Sequence, residues 1–359
     1  MTDATVYFVD AGGHSAAIDS EVQGERQVQE QEPSTGQTSG SLGLVGDIGA
    51  THARLRLARQ QQWASELVVL PTRDFQSGAD LLAQAYAELG SPDLAASALA
   101  VAGPVSGDGT NVTVINTGLA FDQMTATSVL GTSPRFVNDF YAQAASIPYL
   151  QDLQQMGGDA TATGVRAILG PGSGLGMASL VPKPLVPAGS DGWMVLPSEG
   201  GHGDLAPGSF LEAELWSVLA QEHGQVSWET ALSGPGILHL YQAMSSIWGT
   251  SPELQTSEEV VAQGLASDPL CHQTLETFTS LLGGAAGNFA LMVGAQGGVY
   301  LSGGIVPKLA SMLPSSPLRR RFDERGDLSG YAKAIPLYAV LDEHPGMLGA
   351  RALLAPSDG

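Results

Sequence analysis

Asn138 and Asp139 have the side chains and the position that acid–base chemistry on an alcohol requires. Residues 135–137 have the pattern of a strand end, and an Ala-rich segment from Tyr141 has the pattern of a helix. The two residues therefore lie at a predicted strand-to-helix junction, where α/β folds present side chains to ligands. There the Asp139 carboxylate can accept a proton from a hydroxyl while Asn138 holds a neighbouring one. On the dipeptide alone, an Asp139 that only caps the helix is the commoner arrangement.

A second polar group follows the predicted strand at residues 193–196. Glu199 and His202 lie three positions apart with glycines between them, so both can point into one cleft. A carboxylate accepts hydrogen bonds from paired hydroxyls, and an imidazole can donate one to another hydroxyl. A metal pair and a helix-capping loop are the alternatives, and neither a cysteine nor a third ligand lies nearby in sequence. Glu229, beside a later glycine turn, is a third carboxylate whose ordinary role would be that of a solvated helix residue.

The first of two glycine turns follows a short apolar strand at residues 42–46. Gly46 and Gly49 allow backbone amides to approach an anion, and Thr51 adds a hydroxyl donor. Asp47 can face a metal ion. An ordinary hairpin is the alternative for this turn.

The second glycine turn has four glycines in the seven residues 170–176 and again lies between two predicted strands. So many glycines are unfavourable for folding unless the backbone needs them, which favours phosphate contact by Gly172, Ser173 and Gly174. Gly303 and Gly304, at the end of a predicted strand at 298–302, can let a flat ring or a phosphate lie against the backbone.

These side chains must be positioned by alternating strands and helices, which predict a mixed sheet with helices packed against it. A strand–turn–strand unit in each half predicts a duplicated fold with a phosphate-bearing ligand between the halves. Residues 151–164 are predicted to be loop near a domain boundary, and 270–296 a long helix loosened by its glycines. A helix over 209–222 is predicted to bury Phe210, and the arginines at 319–321 to form a solvated face.

Composition excludes several classes of protein. The 359 residues carry a net charge of −21, with 15 Lys and Arg against 36 Asp and Glu, which argues against nucleic-acid and membrane-surface partners. No apolar run approaches the ~18 residues of a membrane span. Cys271 is the single cysteine, and no secretory signal is recognised, so the expected location is cytoplasmic. Residues 1–40 are polar and without periodicity, which predicts a disordered extension.

Common nucleotide-binding motifs are absent from the sequence. No Gly-Lys dipeptide occurs, which excludes a P-loop. The second glycine turn lies between strands and does not have the G-x-G-x-x-G spacing of a dinucleotide site.

Taken together, these motifs resemble the actin/hexokinase/Hsp70 ATPase superfamily and, within it, the bacterial-type glucokinases. The resemblance runs from about residue 42 to the C-terminus and rests on residues 44–51, 136–140, 169–176, 196–207, 232–236 and 297–307. It implies an α/β, two-domain ribonuclease-H-like (hexokinase/actin-type) fold with a cleft between the domains. The implied small domain comprises residues 41–148 and 342–359, and the large domain residues 149–341. It also implies phosphoryl transfer from ATP to glucose with Mg²⁺.

The resemblance also implies a role for each matching residue. Asp139 becomes the base at the 6-hydroxyl of the sugar, and Asp47 an indirect ligand of the magnesium of Mg-ATP. The implied sugar ligands are Asn138, Asp139, Glu199, His202 and Glu229. The implied nucleotide contacts are Gly46, Asp47, Gly49, Thr51, Gly172, Ser173, Gly174, Gly303 and Gly304.

Four positions depart from the usual family pattern without removing a reacting group: Ala50, His52, Leu119 and Arg325. Ala50 and His52 border the first glycine turn, so nucleotide affinity and donor preference are the properties they put in question. Another hexose as acceptor, a catalytically silent sugar-binding regulator, polyphosphate as donor and a homodimer remain open alternatives at this point.

Overall fold

The computed structural model describes residues 41–115, 117–182 and 192–354, so the extension predicted for residues 1–40 lies outside it. Fourteen strands are described: β1 Leu42–Ile48, β2 His52–Arg59, β3 Gln62–Trp63, β4 Val68–Pro71, β5 Ala96–Val101, β6 Asn111–Thr113, β7 Ala120–Asp122, β8 Pro134–Asn138, β9 Leu153–Gln155, β10 Arg166–Pro171, β11 Leu175–Pro182, β12 Trp193–Ser198, β13 Val299–Leu301 and β14 Leu337–Val340. The described helices are α1 Gly78–Glu88, α2 Gln123–Leu130, α3 Asp139–Ser146, α4 Phe210–His223, α5 Trp228–Ala231, α6 Gly234–Trp248, α7 Ser257–Leu265, α8 Pro269–Val293, α9 Val306–Leu309, α10 Leu318–Asp323, α11 Ser329–Ala334 and α12 Pro345–Ala352.

The first sheet is built around β1, in which five of the seven residues are buried. Its neighbours lie in the order β3-β2-β1-β5-β8, with β4 also paired to β2. β1, β5 and β8 run parallel, whereas β2 pairs with β1 as an antiparallel hairpin. The carboxyl ends of β1 and β8 therefore lie at the same edge of the sheet, on either side of β5.

The second sheet repeats this arrangement in the order β12-β11-β10-β13-β14-β9. β10 and β11 form an antiparallel hairpin, and β10, β13 and β14 run parallel. Each predicted glycine turn thus connects the two strands of an equivalent hairpin. The duplication expected from the sequence is present in strand order and in strand direction.

α3 contacts both sheets. Phe140 and Ala144 belong to a buried cluster with Ile168 and Leu180 of the second sheet. On its other side, Ala142 packs in a cluster with residues of the first sheet and of α12. The helix that begins at Asp139 is therefore fixed by packing from two sides.

One expectation about secondary structure was wrong. Residues 151–164 are not all loop, because β9 at Leu153–Gln155 pairs antiparallel with β14 at the sheet edge. The expectation failed because three residues are too few to show an alternating pattern.

Phe210 and the arginine cluster also differ from expectation. Phe210 is 98% exposed, because it lies in the first turn of α4 on the side away from the core. Arg319 does not lie on a solvated face, since it pairs with Asp323 at 2.8 Å and donates to the Ile335 carbonyl oxygen at 2.9 Å. Arg320 alone of the three is exposed.

The glycines of α8 permit close packing where loosening of the helix was expected. A Cβ atom added at Gly283 would lie 2.2 Å from the Leu318 carbonyl oxygen, and one at Gly287 would lie 2.1 Å from the Arg325 guanidinium. α10 and Arg325 thus rest directly on the α8 backbone. None of the described helices is both long and apolar enough to cross a membrane.

We expect Gly283→Ala to lower the free energy of unfolding by about 1–3 kcal/mol, as overpacked cores do. A loss of stability would indicate overpacking, because helix propensity alone favours alanine over glycine by about 1 kcal/mol. Gly330→Ala in α11 is the matched control, since an added Cβ there meets nothing within 4 Å. Denaturant unfolding of both variants measures the difference, and equal stability would contradict the packing explanation.

Candidate active site

Asn138, and not Asp139, caps the helix at the predicted junction. The Asn138 Oδ1 atom accepts hydrogen bonds from the amides of Phe140 at 2.9 Å and Tyr141 at 3.3 Å. Its Nδ2 atom donates to the Gly103 carbonyl oxygen at 3.2 Å, which anchors the side chain to the loop after β5. The alternative in which Asp139 serves only as the cap is therefore wrong. Asp139 accepts one hydrogen bond from the Phe140 amide, at 3.0 Å.

The Asp139 carboxyl group is electrostatically unusual. Burial, followed by the negative charge of Asp47, raises its pKa to about 7; Glu199 adds to the rise and hydrogen bonding to the Phe140 amide opposes it. The charges of Asp47, from the first sheet, and of Glu199, from the second, thus both raise the pKa of Asp139. A carboxyl group with a pKa near neutrality can exchange a proton with a ligand.

Asp47 lies near the carboxyl end of β1, two strands away from the end of β8. Strands are spaced by about 4.8 Å, so the backbones are about 10 Å apart and both side chains can face one ligand. Burial raises the pKa of Asp47, although the positive charges of Arg54 and His344 oppose the rise. A Cβ atom added at Gly346 would lie 2.8 Å from Asp47 Oδ2, so the first turn of α12 closely approaches this carboxylate.

The first glycine turn is tightly bonded at its base. Gly46 lies within β1, where a Cβ atom would meet the Leu99 side chain at 2.6 Å. The Gly49 amide donates to the His52 carbonyl oxygen at 3.0 Å, and Thr72 Oγ1 donates to the Gly49 carbonyl oxygen at 2.8 Å. The exposed tip carries Thr51, so the hydroxyl predicted to face an anion is accessible.

The second glycine turn is held from outside by the corner between α5 and α6. The Gly234 amide donates to the Gly172 carbonyl oxygen at 2.7 Å, and the Leu175 amide donates to Glu229 Oε2 at 2.7 Å. Ser173 is exposed at the tip, and a Cβ atom at Gly172 would meet nothing within 4 Å. The turn therefore has a fixed base and an open tip.

Gly303 and Gly304 lie beside this second turn. Gly303 has a φ of +84°, a conformation that favours glycine, and an added Cβ atom would lie 2.5 Å from the Pro171 carbonyl oxygen. A Cβ atom at Gly304 would meet nothing within 4 Å. The pair leaves open space next to the end of β10, as a ligand contacting the backbone would require.

Glu199 and His202 lie at the two ends of a short 3₁₀ turn after β12, and both side chains are exposed. His202 Nδ1 is 3.9 Å from Glu229 Oε1, so the loop and α5 face each other. Among the residues that the structure describes, no three His, Cys, Asp or Glu side chains form a group that could hold a metal ion.

Two contacts of the site were not foreseen from the sequence. Gly176 lies so close to Phe140 that a Cβ atom would be 1.8 Å from the ring, and Glu229 binds the second turn through the Leu175 amide. Gly176, the fourth glycine of the second turn, indicates a close approach by another residue. The sequence does not identify that residue, because Phe140 is 36 positions away. The hydrogen bond from the Leu175 amide to Glu229 corresponds to no recognisable pattern in the sequence.

A cavity of about 520 Å³ lies elsewhere, between α4, α8 and the segment around α10. None of the predicted site residues lines it, and the carboxylate group described above does not depend on it.

Comparison with known proteins agrees with this architecture. The Glucokinase family model matches residues 44–357. The glucokinase of Nitrobacter hamburgensis is 40% identical over 321 residues, covering 88% of this chain and 97% of that protein. A glucokinase crystal structure from an Antarctic psychrotroph superposes with a TM-score of 0.75 at 32% identity, covering 88% of this chain and 98% of that one.

A more distant solved structure is the ROK family glucokinase of Streptomyces griseus in complex with glucose and AMPPNP. Its TM-score is 0.59 at 16% identity, with 87% of this chain and 98% of that one covered, so the likeness concerns the fold. These likenesses confirm the predicted α/β, two-domain hexokinase/actin-type fold class. The family match and the identity to curated relatives show that the chain belongs to the glucokinase family.

Proposed function

We propose that this protein is a glucokinase that transfers the γ-phosphoryl group of ATP to the 6-hydroxyl of glucose. The observation that carries the proposal is the Asp139 carboxyl group, which has a pKa of about 7 and lies within electrostatic reach of Asp47 and Glu199. Its place in the sequence is the one that the family resemblance assigns to the base. The identity to glucokinases over most of the chain supports glucose and ATP as the substrates.

In this mechanism Asp139 accepts the proton of the 6-hydroxyl as the oxygen attacks the γ-phosphorus. Phosphoryl transfer requires that the protein align the attacking and leaving oxygens and neutralise charge, and it requires no covalent intermediate with the protein. Three hydrogen bonds fix the Asn138 side chain, and the bond from the Phe140 amide restrains the Asp139 carboxylate beside it. The remaining Nδ2 hydrogen of Asn138 is proposed to donate to a sugar hydroxyl.

The other sugar contacts are proposed to come from Glu199, His202 and Glu229. The side chains of Glu199 and His202 are exposed, and Glu229 keeps 33% of its side chain accessible. Accessible carboxylates and an imidazole match a ligand that presents several hydroxyl groups. The loop and α5 would then grip the sugar on the side away from Asp139.

The phosphates are proposed to lie between the two glycine turns, within reach of Thr51 and Ser173, with the adenosine beside Gly303 and Gly304. Magnesium fits the residues present, because Asp47 is a carboxylate whose burial raises its pKa, so a nearby cation would stabilise its charged form. When bound with ATP, magnesium would neutralise charge that develops on the phosphates. Asp47 would hold it through water, as magnesium sites that keep several waters do.

The two sheets are proposed to be the cores of domains comprising residues 41–148 with 342–359 and residues 149–341. Closure of these domains on the sugar would exclude water, which is the competing acceptor for the phosphoryl group. A cytoplasmic location, where ATP is available, and a homodimer are parts of the proposal. A coupled assay over a panel of hexoses, with ATP and polyphosphate as donors, tests the acceptor and the donor together.

We expect Asp139→Asn to lower kcat by about 10²–10⁴-fold, which is the usual contribution of a general base. Glucose should still bind, because the asparagine amide still forms hydrogen bonds although it cannot accept a proton. The free energy of unfolding should not fall, because a neutral side chain removes repulsion from Asp47. Steady-state kinetics and glucose titration separate these effects, and a loss of less than about tenfold in kcat would contradict the assignment.

The rate should also depend on pH in a defined direction. Protonated Asp139 cannot accept a proton, so kcat/KM for glucose should fall as the pH drops through about 7, the pKa of this group. A pH profile at saturating Mg-ATP measures the midpoint. A rate that stays constant between about pH 6 and about pH 8 would show that a group with another pKa limits the reaction.

Glu199→Ala should raise the KM for glucose by about ten- to a hundredfold, because hydrogen bonds to a charged group contribute about 1.5–3 kcal/mol. The preference for glucose over its epimers should narrow, while the dependence on magnesium should not change. Glu214→Ala, an exposed position on α4, is the control. Elemental analysis of the purified wild type tests the competing metal site: stoichiometric zinc that is lost in Glu199→Ala would overturn the sugar role.

A further inference from the structure

Glu229 touches the second glycine turn as well as the proposed sugar side of the cleft. Its Oε2 atom accepts a hydrogen bond at 2.7 Å from the amide of Leu175, the first residue of β11. Its Oε1 atom faces His202 Nδ1 at 3.9 Å. The two oxygens of one carboxylate therefore point to the two different parts of the site.

The contact with the turn is a close one. A Cβ atom added at Gly174 would lie 2.4 Å from Glu229 Oε2, so only glycine leaves room for the carboxylate there. The carbonyl side of Leu175 is equally confined, because a Cβ atom at Gly201 of the sugar loop would lie 2.0 Å from the Leu175 oxygen. Leu175 is thus held between α5 on its amide side and the sugar loop on its carbonyl side.

α5 is held in place by hydrogen bonds at both ends, so the backbone position of Glu229 is fixed. Ser227 caps the helix together with Thr230 in a reciprocal capping box. Ser233 Oγ donates to the Glu229 carbonyl oxygen at 2.9 Å. The next amide, that of Gly234, bonds the Gly172 carbonyl oxygen, so the same corner holds the turn at both ends.

We propose that Glu229 is a positioning residue for the phosphates: its carboxylate fixes the second glycine turn and couples sugar binding to nucleotide binding. The inference rests on the proposed function, in which the turn contacts phosphates and Glu229 contacts the sugar. A sugar hydroxyl that donates to Glu229 restricts the carboxylate in the orientation that also bonds Leu175. Glucose then favours the turn conformation that receives ATP, and by linkage ATP favours glucose by the same factor.

The test is a titration of a non-hydrolysable ATP analogue with magnesium, with and without saturating glucose, by isothermal calorimetry. In the wild type we expect glucose to tighten analogue binding by about fivefold or more, within the usual range of coupling between sites. Glu229→Ala should weaken analogue binding without sugar and reduce the coupling factor to about one. Glu229→Gln retains an oxygen that can accept from Leu175, so it should restore analogue binding to within about twofold of the wild type while glucose binding remains weak.

His202→Ala is the matched control, because it removes the neighbouring proposed sugar contact without touching the turn. It should weaken glucose binding and leave sugar-free analogue binding unchanged. If Glu229→Ala binds the analogue as tightly as the wild type, the positioning role is overturned. An equal loss in Glu229→Gln and Glu229→Ala also overturns it, since the retained acceptor would then be without effect.

The experiment distinguishes failure of the positioning role of Glu229 from failure of the proposed glucokinase activity. A wild type that phosphorylates no hexose overturns the proposed function, whereas the sugar-free titrations of the two Glu229 variants still decide whether the carboxylate positions the turn. If Glu229→Ala does not fold, Gly174→Ala displaces the carboxylate from the turn instead. Its glucose affinity should then fall although the changed residue lies in the phosphate turn, and an unchanged glucose affinity would contradict the coupling.

Discussion

The burial of like charges at one edge of the first sheet is the constraint on which the site depends. Asp47 lies near the carboxyl end of β1, and Asp139 directly follows the parallel strand β8. Glu199 approaches from the second sheet, so three carboxylates share one region. A buried carboxylate close to others holds its proton to a higher pH than it would in water. The arrangement is unfavourable without ligands. In the proposed function, sugar hydroxyls and a magnesium ion would both reduce the repulsion between these carboxylates.

The rigid surroundings of these carboxylates follow from α3. This helix begins at Asp139, is capped by Asn138 and packs against both sheets, so its first turn cannot shift without disturbing two cores. Phe140 lies directly on Gly176, the last residue of the second glycine turn. Asp139 and the second turn are thereby held at a fixed distance across the two sheets. A base must be held within hydrogen-bonding distance of the hydroxyl to contribute to the rate.

Several glycines act by allowing close approach between segments of the chain, and others adopt a positive φ. Gly346 admits the Asp47 carboxylate, Gly174 admits that of Glu229, and Gly283 admits the α10 backbone. Each contact joins segments that are distant in sequence. The two glycine turns consequently have fixed bases and open tips, an arrangement that suits the binding of an anion by backbone amides and hydroxyls.

The sequence alone predicted most of the elements and the candidate site residues. Apolar strands before glycine turns, the junction at Asn138–Asp139 and the Glu199–His202 spacing are local patterns, and they predicted the duplicated α/β fold and its candidate residues because periodicity and turn propensity act over a few residues. Only the tertiary structure decided that Asn138 is the cap, that Asp139 has a pKa near 7 and that Glu229 bonds the Leu175 amide. It also decided that Phe210 is exposed and that β9 completes the second sheet. These properties depend on desolvation, charge and packing between distant segments, which leave no periodic trace in the chain.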